Sequence, residues 1–133
     1  MNTFGPYSPI VKTGDLYFVS GQVGVDPQTG SAPADVESQT SQAMCNMQDA
    51  LKRYELDMEN IVKTTIYVTN MADFSAVNEI YQGFFADPKP ARATVAVKEL
   101  PRVTSNPILV EIEAVAAKSK RVDSTARNTK SKK

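Results

Sequence analysis

The chain has 133 residues, of which 41% are hydrophobic and 23% charged, and its 15 basic and 15 acidic side chains give a formal net charge of zero. A chain of this length fits one domain, and folding buries about two-thirds of the surface that the unfolded chain exposes. Because it has no histidine and a single cysteine, the sequence excludes histidine-based acid–base catalysis, an intrachain disulfide and a cysteine-rich zinc site.

The N-terminal region is predicted to form a β-hairpin. Residues 16–19 are strong β-formers that follow a Gly-Asp turn signal, and segment 7–15 can pair with them. The turn-rich segment 26–33 is predicted to be a loop. Neither a targeting signal nor an apolar run of roughly 20 residues is recognisable, so we expect a cytoplasmic protein without a membrane span.

A long helix is predicted over residues 35–56, where the hydrophobic pattern takes the period of a helix. Asp35 is its candidate N-cap. One stripe of this helix carries Val36, Thr40, Ala43, Met44, Met47, Leu51 and Tyr54. Cys45 falls within the same pattern, and a buried, inert thiol is favoured there over a reactive nucleophile.

The second half of the chain alternates strands with one shorter helix. A strand is predicted over 60–70, a helix over 72–85 that ends at Asp87-Pro88, and two final strands over 92–100 and 107–117. The turn-rich segment 101–106 joins these last strands. This order predicts an α+β fold, a two-layer sandwich with helices on one face of the sheet.

Side-chain alternation suggests where the charges of the last two strands lie. Arg92 and Thr94 point away from Val95, and Glu111 and Glu113 share one side of their strand. A short connection favours antiparallel neighbours, which would collect these four polar residues on one sheet face. Two interpretations remain open from the pattern alone: a solvated cross-strand ion pair or a functional site.

The C-terminal segment 118–133 differs in charge from the rest of the chain. It carries seven basic side chains and one acidic side chain, a net charge of +6. With Val122 as its only sizeable apolar residue, it is predicted to be a disordered basic tail. Such a tail can bind nucleic acid, but a solubilising role is favoured because no aromatic residues alternate with its charges.

Six collinear segments match motifs of one known family: GPYSP at 5–9, VSGQVGVDPQTG at 19–30, IVKTTIYV at 61–68, DFSAVNEIYQGFF at 73–85, PARATVAV at 90–97 and VEIEAVA at 110–116. In this order and spacing they resemble the Rid (YjgF) family of reactive intermediate deaminases, over residues 1–117. The resemblance implies a chorismate-mutase-like fold with a mixed sheet. It also implies a homotrimer with one site in each cleft between subunits.

The resemblance further implies hydrolysis of 2-enamino and 2-imino acids, such as 2-aminoacrylate and 2-iminopropanoate, to 2-keto acids and ammonia. No metal and no organic cofactor is expected, and nucleic acid is an expected partner only through the basic tail. Two alternatives stay open, because parts of the family have other assignments. One is a non-catalytic regulator that binds carboxylate ligands, and the other is an RNA-directed translation inhibitor with ribonuclease activity.

The two expected catalytic residues come from the same resemblance. Arg92 occupies the arginine of the Pro-Ala-Arg motif, which holds the substrate carboxylate, and a guanidinium suits bidentate binding of that group. Glu111 matches the carboxylate that positions or activates water. Thr94 stands where many relatives have cysteine, and it is expected to contribute to substrate binding rather than to thiol chemistry.

Four further positions are expected to line the site. Tyr7, Ser20 and Gly21 match residues of the family cleft, and Asn78 matches a position that is often polar and is given a weak binding role. From the residues alone, Tyr7 could equally cover the sheet edge and Ser20 could belong to a turn. Segment 101–108 is longer than the family's usual connection, so Glu111 keeps its place only if the extra residues bulge out as loop.

Overall fold

The structure, a computed structural model, describes residues 3–122. Within them are five strands and two α-helices: β1 (Ile10–Thr13), β2 (Leu16–Val23), α1 (Val36–Lys52), β3 (Ile61–Val68), α2 (Phe74–Gln82), β4 (Ala91–Ala96) and β5 (Val110–Ala117). The predicted elements are all present and in the predicted order. Neither of the two helices has the length and apolar character needed to cross a membrane.

The five strands form one mixed sheet in the order β1-β2-β5-β3-β4. All pairs are antiparallel except β3 and β4, which are parallel and connected through α2. The prediction that the last two strands are neighbours is therefore wrong. Strands in a sheet lie about 4.8 Å apart, so the connection 97–109 is long enough to carry the chain past β3 and insert β5 in the middle of the sheet.

Both helices cover the same side of the sheet, and that side contains the core. Along β5, Ile112 and Ala114 are buried beneath the helices, whereas Glu113 between them is exposed. Asp35 caps α1 as predicted, because its carboxylate accepts a hydrogen bond of 2.8 Å from the backbone N–H of Ser38. The α+β, two-layer prediction is confirmed, with one helix-covered face and one open face.

Both helices end earlier than the sequence suggested. Helix α1 stops at Lys52, and the chain then turns through Glu55, whose φ of 60° lies in the left-handed region. Helix α2 stops at Gln82 with Gly83 as its cap, before the Asp87-Pro88 pair that was expected to end it. The apolar periodicity continues past each end because the following residues, such as Leu56, still pack into the core.

Cys45 does not occupy the buried position that was predicted for it. Its side chain is exposed on α1, between the fully buried Met44 and a half-buried Asn46. The helical stripe is wide enough to include the neighbours of Cys45 but not Cys45 itself. The prediction of a buried thiol is therefore wrong.

Segment 101–108 folds as a loop over a second small core. Ile108 packs there with Val23, the last residue of β2, and with Val25 just after it. The fully buried amide of Gln39 donates to the carbonyls of Pro33 and Pro107 at 2.8 and 2.9 Å. Its oxygen also accepts from the N–H of Leu109 at 2.8 Å. These bonds hold the segment as a loop, and β5 pairs with β3 from its first residue, Val110 opposite Val68.

The described part of the C-terminal segment lies against the fold. The backbone N–H of Lys118 donates to the carbonyl of Asp15, and that of Arg121 donates to the carbonyl of Glu59. The prediction of a disordered tail that starts at Lys118 does not fit residues 118–122, because the Arg121 side chain finds acceptors that composition cannot show. Residues 123–133 of the predicted tail lie outside the described residues.

Candidate active site

Glu111 lies at a cavity of about 300 Å³ on the open side of the sheet. The cavity is lined by Tyr7, Ser20, Gly21, Pro101, Glu111 and Glu113, among others. Four of the seven residues predicted for the site therefore lie together. We call Tyr7, Ser20, Gly21 and Glu111 the glutamate half-site.

A bulge in β2 shapes this half-site. Val19 pairs with Ala114 and Gln22 pairs with Ile112, so Ser20 and Gly21 together face one residue of β5. A bulge of this kind re-aims side chains and is common next to active sites. A β-carbon built on Gly21 would lie 2.7 Å from Cδ of Glu111. Only glycine therefore leaves room for this carboxylate.

Ser20 holds the N-terminal segment that carries Tyr7. Its hydroxyl donates to the carbonyl of Ser8 at 2.6 Å, and its backbone N–H donates to the carbonyl of Pro9 at 2.9 Å. Ser20 is a strand residue at the bulge, so the alternative of a turn residue is excluded. Tyr7 remains 47% exposed and is thus available to a ligand in the cavity.

The electrostatic environment of Glu111 favours its protonated form more than water does. Partial burial raises the pKa of Glu111, and the negative charge of Glu113 raises it further. Glu113 accepts a hydrogen bond of 2.7 Å from the hydroxyl of Tyr67, and this bond is the main cause of a raised pKa for Tyr67. A carboxyl whose pKa is raised toward the working pH suits proton exchange with water.

Arg92 lies on the opposite face of the sheet. In β3, which lies between β5 and β4, Thr64 pairs with both Arg92 and Ala114, whereas Tyr67 pairs with Glu111. Residues paired across strands share a face, and Thr64 is only 1% exposed beneath the helices. The prediction that Arg92 and Glu111 share a face is therefore wrong, because it assumed that their strands are neighbours.

The Arg92 guanidinium lies over two aromatic rings of α2. Its Cζ is 5.6 Å from the ring centroid of Phe74 and 5.1 Å from that of Tyr81, within the range of cation–π attraction. The Tyr81 hydroxyl is 2.7 Å from that of Thr64. Both rings belong to α2, and the parallel pairing of β4 with β3 brings Arg92 over them.

Two other predicted residues accompany Arg92. Thr94 pairs with the buried Ile66 and therefore shares the helix-covered face, and its Oγ1 is buried without a hydrogen-bond partner among residues 3–122. Asn78 is half-buried on α2, four residues after Phe74 and so on the same helix side. We call Asn78, Arg92 and Thr94 the arginine half-site.

The structure therefore brings the predicted residues together as two groups on opposite faces of one chain. Pro101, which belongs to the long connection, was missed as a cavity residue because sequence could not show how this connection folds. In the described part of the chain, no three Asp, Glu or Cys side chains are grouped to hold a metal ion. The side chains available for chemistry are therefore one arginine, the carboxylates of Glu111 and Glu113, and nearby hydroxyl groups.

Comparison with known proteins identifies the class to which this fold and these half-sites belong. A family model described as Endoribonuclease L-PSP matches residues 1–118. The crystal structure of E. coli TdcF with bound serine superposes with a TM-score of 0.81 at 37% identity, covering 88% of this chain and 91% of that one. The fold is thus the α+β fold of YjgF-type proteins.

Curated relatives agree with this class. A RutC family protein of Aquifex aeolicus is 45% identical over 116 residues, which are 86% of this chain and 90% of that protein. The 2-iminobutanoate/2-iminopropanoate deaminase of Mus musculus is 43% identical over 113 residues, which are 84% of this chain and 81% of that protein. The chain belongs to the Ribonuc_L-PSP family, also called the YjgF/RutC/Rid family, and the predicted family is confirmed.

Proposed function

We propose that the protein hydrolyses 2-imino and 2-enamino acids to 2-keto acids and ammonia. Water adds to the electrophilic imine carbon, the carbon–nitrogen bond breaks, and the nitrogen leaves as ammonia with the protons that the water supplies. The single observation that supports this best is a half-buried carboxylate, Glu111, that lies in a cavity against Gly21, where any β-carbon would overlap it. The deaminase named among the relatives supports the same reaction class.

In this proposal Arg92 binds the substrate carboxylate and Glu111 handles the water. A guanidinium gives a carboxylate two parallel hydrogen bonds, and it is pre-oriented here by the rings of Phe74 and Tyr81. Because the imine is already reactive, the main task of the protein is to hold substrate and water together. The buried hydroxyl of Thr94 is a further donor beside Arg92.

The two half-sites belong to opposite faces of one chain, so we propose that each site joins the arginine half-site of one subunit to the glutamate half-site of another. Large apolar side chains on or beside the open sheet face support such an assembly. Val11, Phe18 and Val95 are 53%, 44% and 42% exposed, and Phe18 pairs with Val115 on that face. An open sheet face with this much apolar surface is expected to be covered. The family resemblance makes a homotrimer the expected assembly.

The test is a coupled assay that generates 2-aminoacrylate with a PLP-dependent dehydratase and follows the appearance of keto acid. We expect the protein to accelerate this step, Arg92→Ala to lose the acceleration, and Lys52→Ala to keep it. Lys52 is an exposed cation in the last turn of α1, and its loss matches the change of charge. A wild-type protein with no effect, or an Arg92→Ala variant with full effect, contradicts the proposal.

An RNA-directed role is the second candidate, and the description of the matching family model is the observation that favours it. The cavity itself argues against RNA, because Glu111 and Glu113 place two carboxylates where phosphates would approach. If RNA binds through basic residues 118–133, its affinity falls steeply with salt. Cleavage of RNA that is lost in Glu111→Gln would favour this role over imine hydrolysis. If 2-ketobutyrate binds in calorimetry and the protein does not accelerate imine hydrolysis, the results would instead indicate a regulator that binds carboxylates.

A further inference from the structure

Among residues 118–122, the described part of the C-terminal segment, Arg121 has the most extensively bonded side chain, although it lies beyond residues 1–118 that match the family. Its guanidinium donates to the backbone carbonyl groups of four residues: Met58, Ile61, Ala86 and Pro88. The bonds to Met58, Ile61 and Ala86 measure 2.6, 3.2 and 2.9 Å. A planar fork of five donors can satisfy four carbonyls at once, which an ammonium group on a flexible stem cannot do in the same geometry.

The four carbonyls belong to two separate parts of the chain. Met58 and Ile61 lie where the chain enters β3, and residues 83–90 lead from α2 into β4, at whose start Arg92 stands. Arg121 therefore joins the connection before Arg92 to the start of β3. A loop of this kind has no strand partner of its own, so its position depends on such side-chain contacts.

Aromatic side chains continue this contact as far as Arg92. The Cζ of Arg121 lies 5.3 Å from the ring centroid of Phe85, whose centroid lies 4.8 Å from that of Tyr81. Tyr81 in turn lies 5.1 Å beneath the Cζ of Arg92. Burial raises the pKa of Tyr81, while the charges of Arg92 and Arg121 act to lower it, which agrees with a ring between two cations.

We propose that Arg121 is a positioning residue for Arg92, acting through the connection 83–90 and through the Phe85 and Tyr81 rings. The C-terminal segment of this chain then helps to set how tightly a substrate carboxylate is held. The proposal rests on the role given to Arg92 in the proposed function. Arg121 itself donates to backbone carbonyls and lies against the Phe85 ring, so it acts through them and takes no part in the chemistry.

The test compares Arg121→Ala and Arg121→Lys with Lys120→Ala in the full chain. Lys120→Ala is the matched control, because it removes a positive charge one residue away. The Lys120 ammonium forms an exposed ion pair of 3.3 Å with Glu59. We expect Arg121→Ala to raise KM and the dissociation constant of 2-ketobutyrate about 2- to 30-fold, with a smaller change in kcat. Arg121→Lys should recover little of this loss, and Lys120→Ala should match wild type.

Hydrogen exchange gives a reading that does not depend on activity. Amides of residues 84–92 should exchange faster in Arg121→Ala than in Lys120→Ala, while amides of β5 stay protected. If exchange over 84–92 is the same in both variants, or if a folded Arg121→Ala binds 2-ketobutyrate as wild type does, the proposal is overturned. If no variant, wild type included, hydrolyses imines or binds the keto acid, the proposed function fails, and faster exchange over 84–92 still supports the positioning of Arg92.

A double-mutant cycle tests the route. Phe85→Leu keeps an apolar side chain but removes the ring between Arg121 and Tyr81. Residues that act through one another have non-additive effects. We expect the loss of carboxylate affinity in the double variant to be clearly smaller than the product of the single losses. Fully multiplicative losses would contradict a route through Phe85.

Discussion

The two half-sites are held in place by different kinds of structure. The glutamate half-site rests on the backbone: Gly21 lies in a bulge of β2, and Glu111 projects from β5, which is hydrogen-bonded to strands on both sides. The arginine half-site rests on side chains, because Arg92 stands on the edge strand β4 and lies on aromatic rings of α2. Substitutions in the glutamate half-site should therefore alter the chemistry directly. Substitutions around the arginine half-site should alter mainly the affinity for the substrate carboxylate.

The largest effect is expected from Glu111→Gln. If Glu111 exchanges protons with the attacking water, its replacement by a neutral amide of the same shape should lower kcat about 10²- to 10⁴-fold with little change in KM. Steady-state kinetics with enzymatically generated imine would measure this. The control is Glu99→Gln, an exposed carboxylate after β4. A Glu111→Gln variant with normal kcat would remove the chemical role from the glutamate half-site.

Gly21→Ala should come next. The added β-carbon would overlap the Glu111 carboxylate and push it from its place, and a displacement of about 1 Å can cost about 10²-fold in rate. Gly83→Ala is the matched control, since its β-carbon would lie at an ordinary 3.5 Å from the carbonyl of Ile80. An active Gly21→Ala variant would mean that the position of Glu111 is less restricted than the bulge suggests.

Gln39→Leu should lower stability rather than act on the chemistry. It leaves the carbonyls of Pro33 and Pro107 and the N–H of Leu109 without their buried partner, and each such group costs about 1–3 kcal/mol. Urea unfolding should show the loss in the free energy of unfolding. Gln42→Leu, which removes only a bond to the Asn46 side chain, should change stability much less. Equal losses in both variants would contradict the role of Gln39 as the support of the long connection.

The smallest effect is expected from Glu113→Gln. The negative charge of Glu113 raises the pKa of Glu111, so its removal should lower that pKa. A carboxyl that takes a proton from the attacking water must be ionised, so activity is lost as the pH falls through the pKa of Glu111. The acid limb of the kcat profile should therefore move to lower pH in Glu113→Gln. An unmoved acid limb, or one moved to higher pH, would contradict this assignment of the titrating group.

The helices, the strands and the residues of the glutamate half-site could be predicted from the sequence. That the two half-sites lie on opposite faces of the sheet could not. The family resemblance assigned Tyr7, Gly21 and Glu111 to one cleft, and they lie together because β2 and β5 are neighbours and Tyr7 stands just before β1. The face of Arg92 could not be derived, because alternation shows only which residues of one strand share a side. Which side faces the helices depends on pairing with β3, and the parallel pairing was hidden by the insertion of β5.

The C-terminal segment shows a second limit of what composition can predict. Its charge predicts a solvated tail, and nothing in the pattern distinguishes Arg121 from the other basic residues of 118–133. The difference is that four carbonyl groups, from two distant parts of the chain, converge where Arg121 passes. Such convergence is a property of the folded chain. The helix ends and the exposure of Cys45 were missed for the same reason, since packing decides them.

The central claim is that one working site needs residues from two subunits, and subunit complementation tests it most directly. Arg92→Ala and Glu111→Gln proteins, each inactive alone, are unfolded, mixed in equal amounts and refolded together. If each site joins Arg92 of one subunit to Glu111 of its neighbour, random assembly restores both residues in about a quarter of the sites of a closed ring. We therefore expect about a quarter of wild-type activity in the mixture. A mixture that stays as inactive as its two components would contradict the shared site.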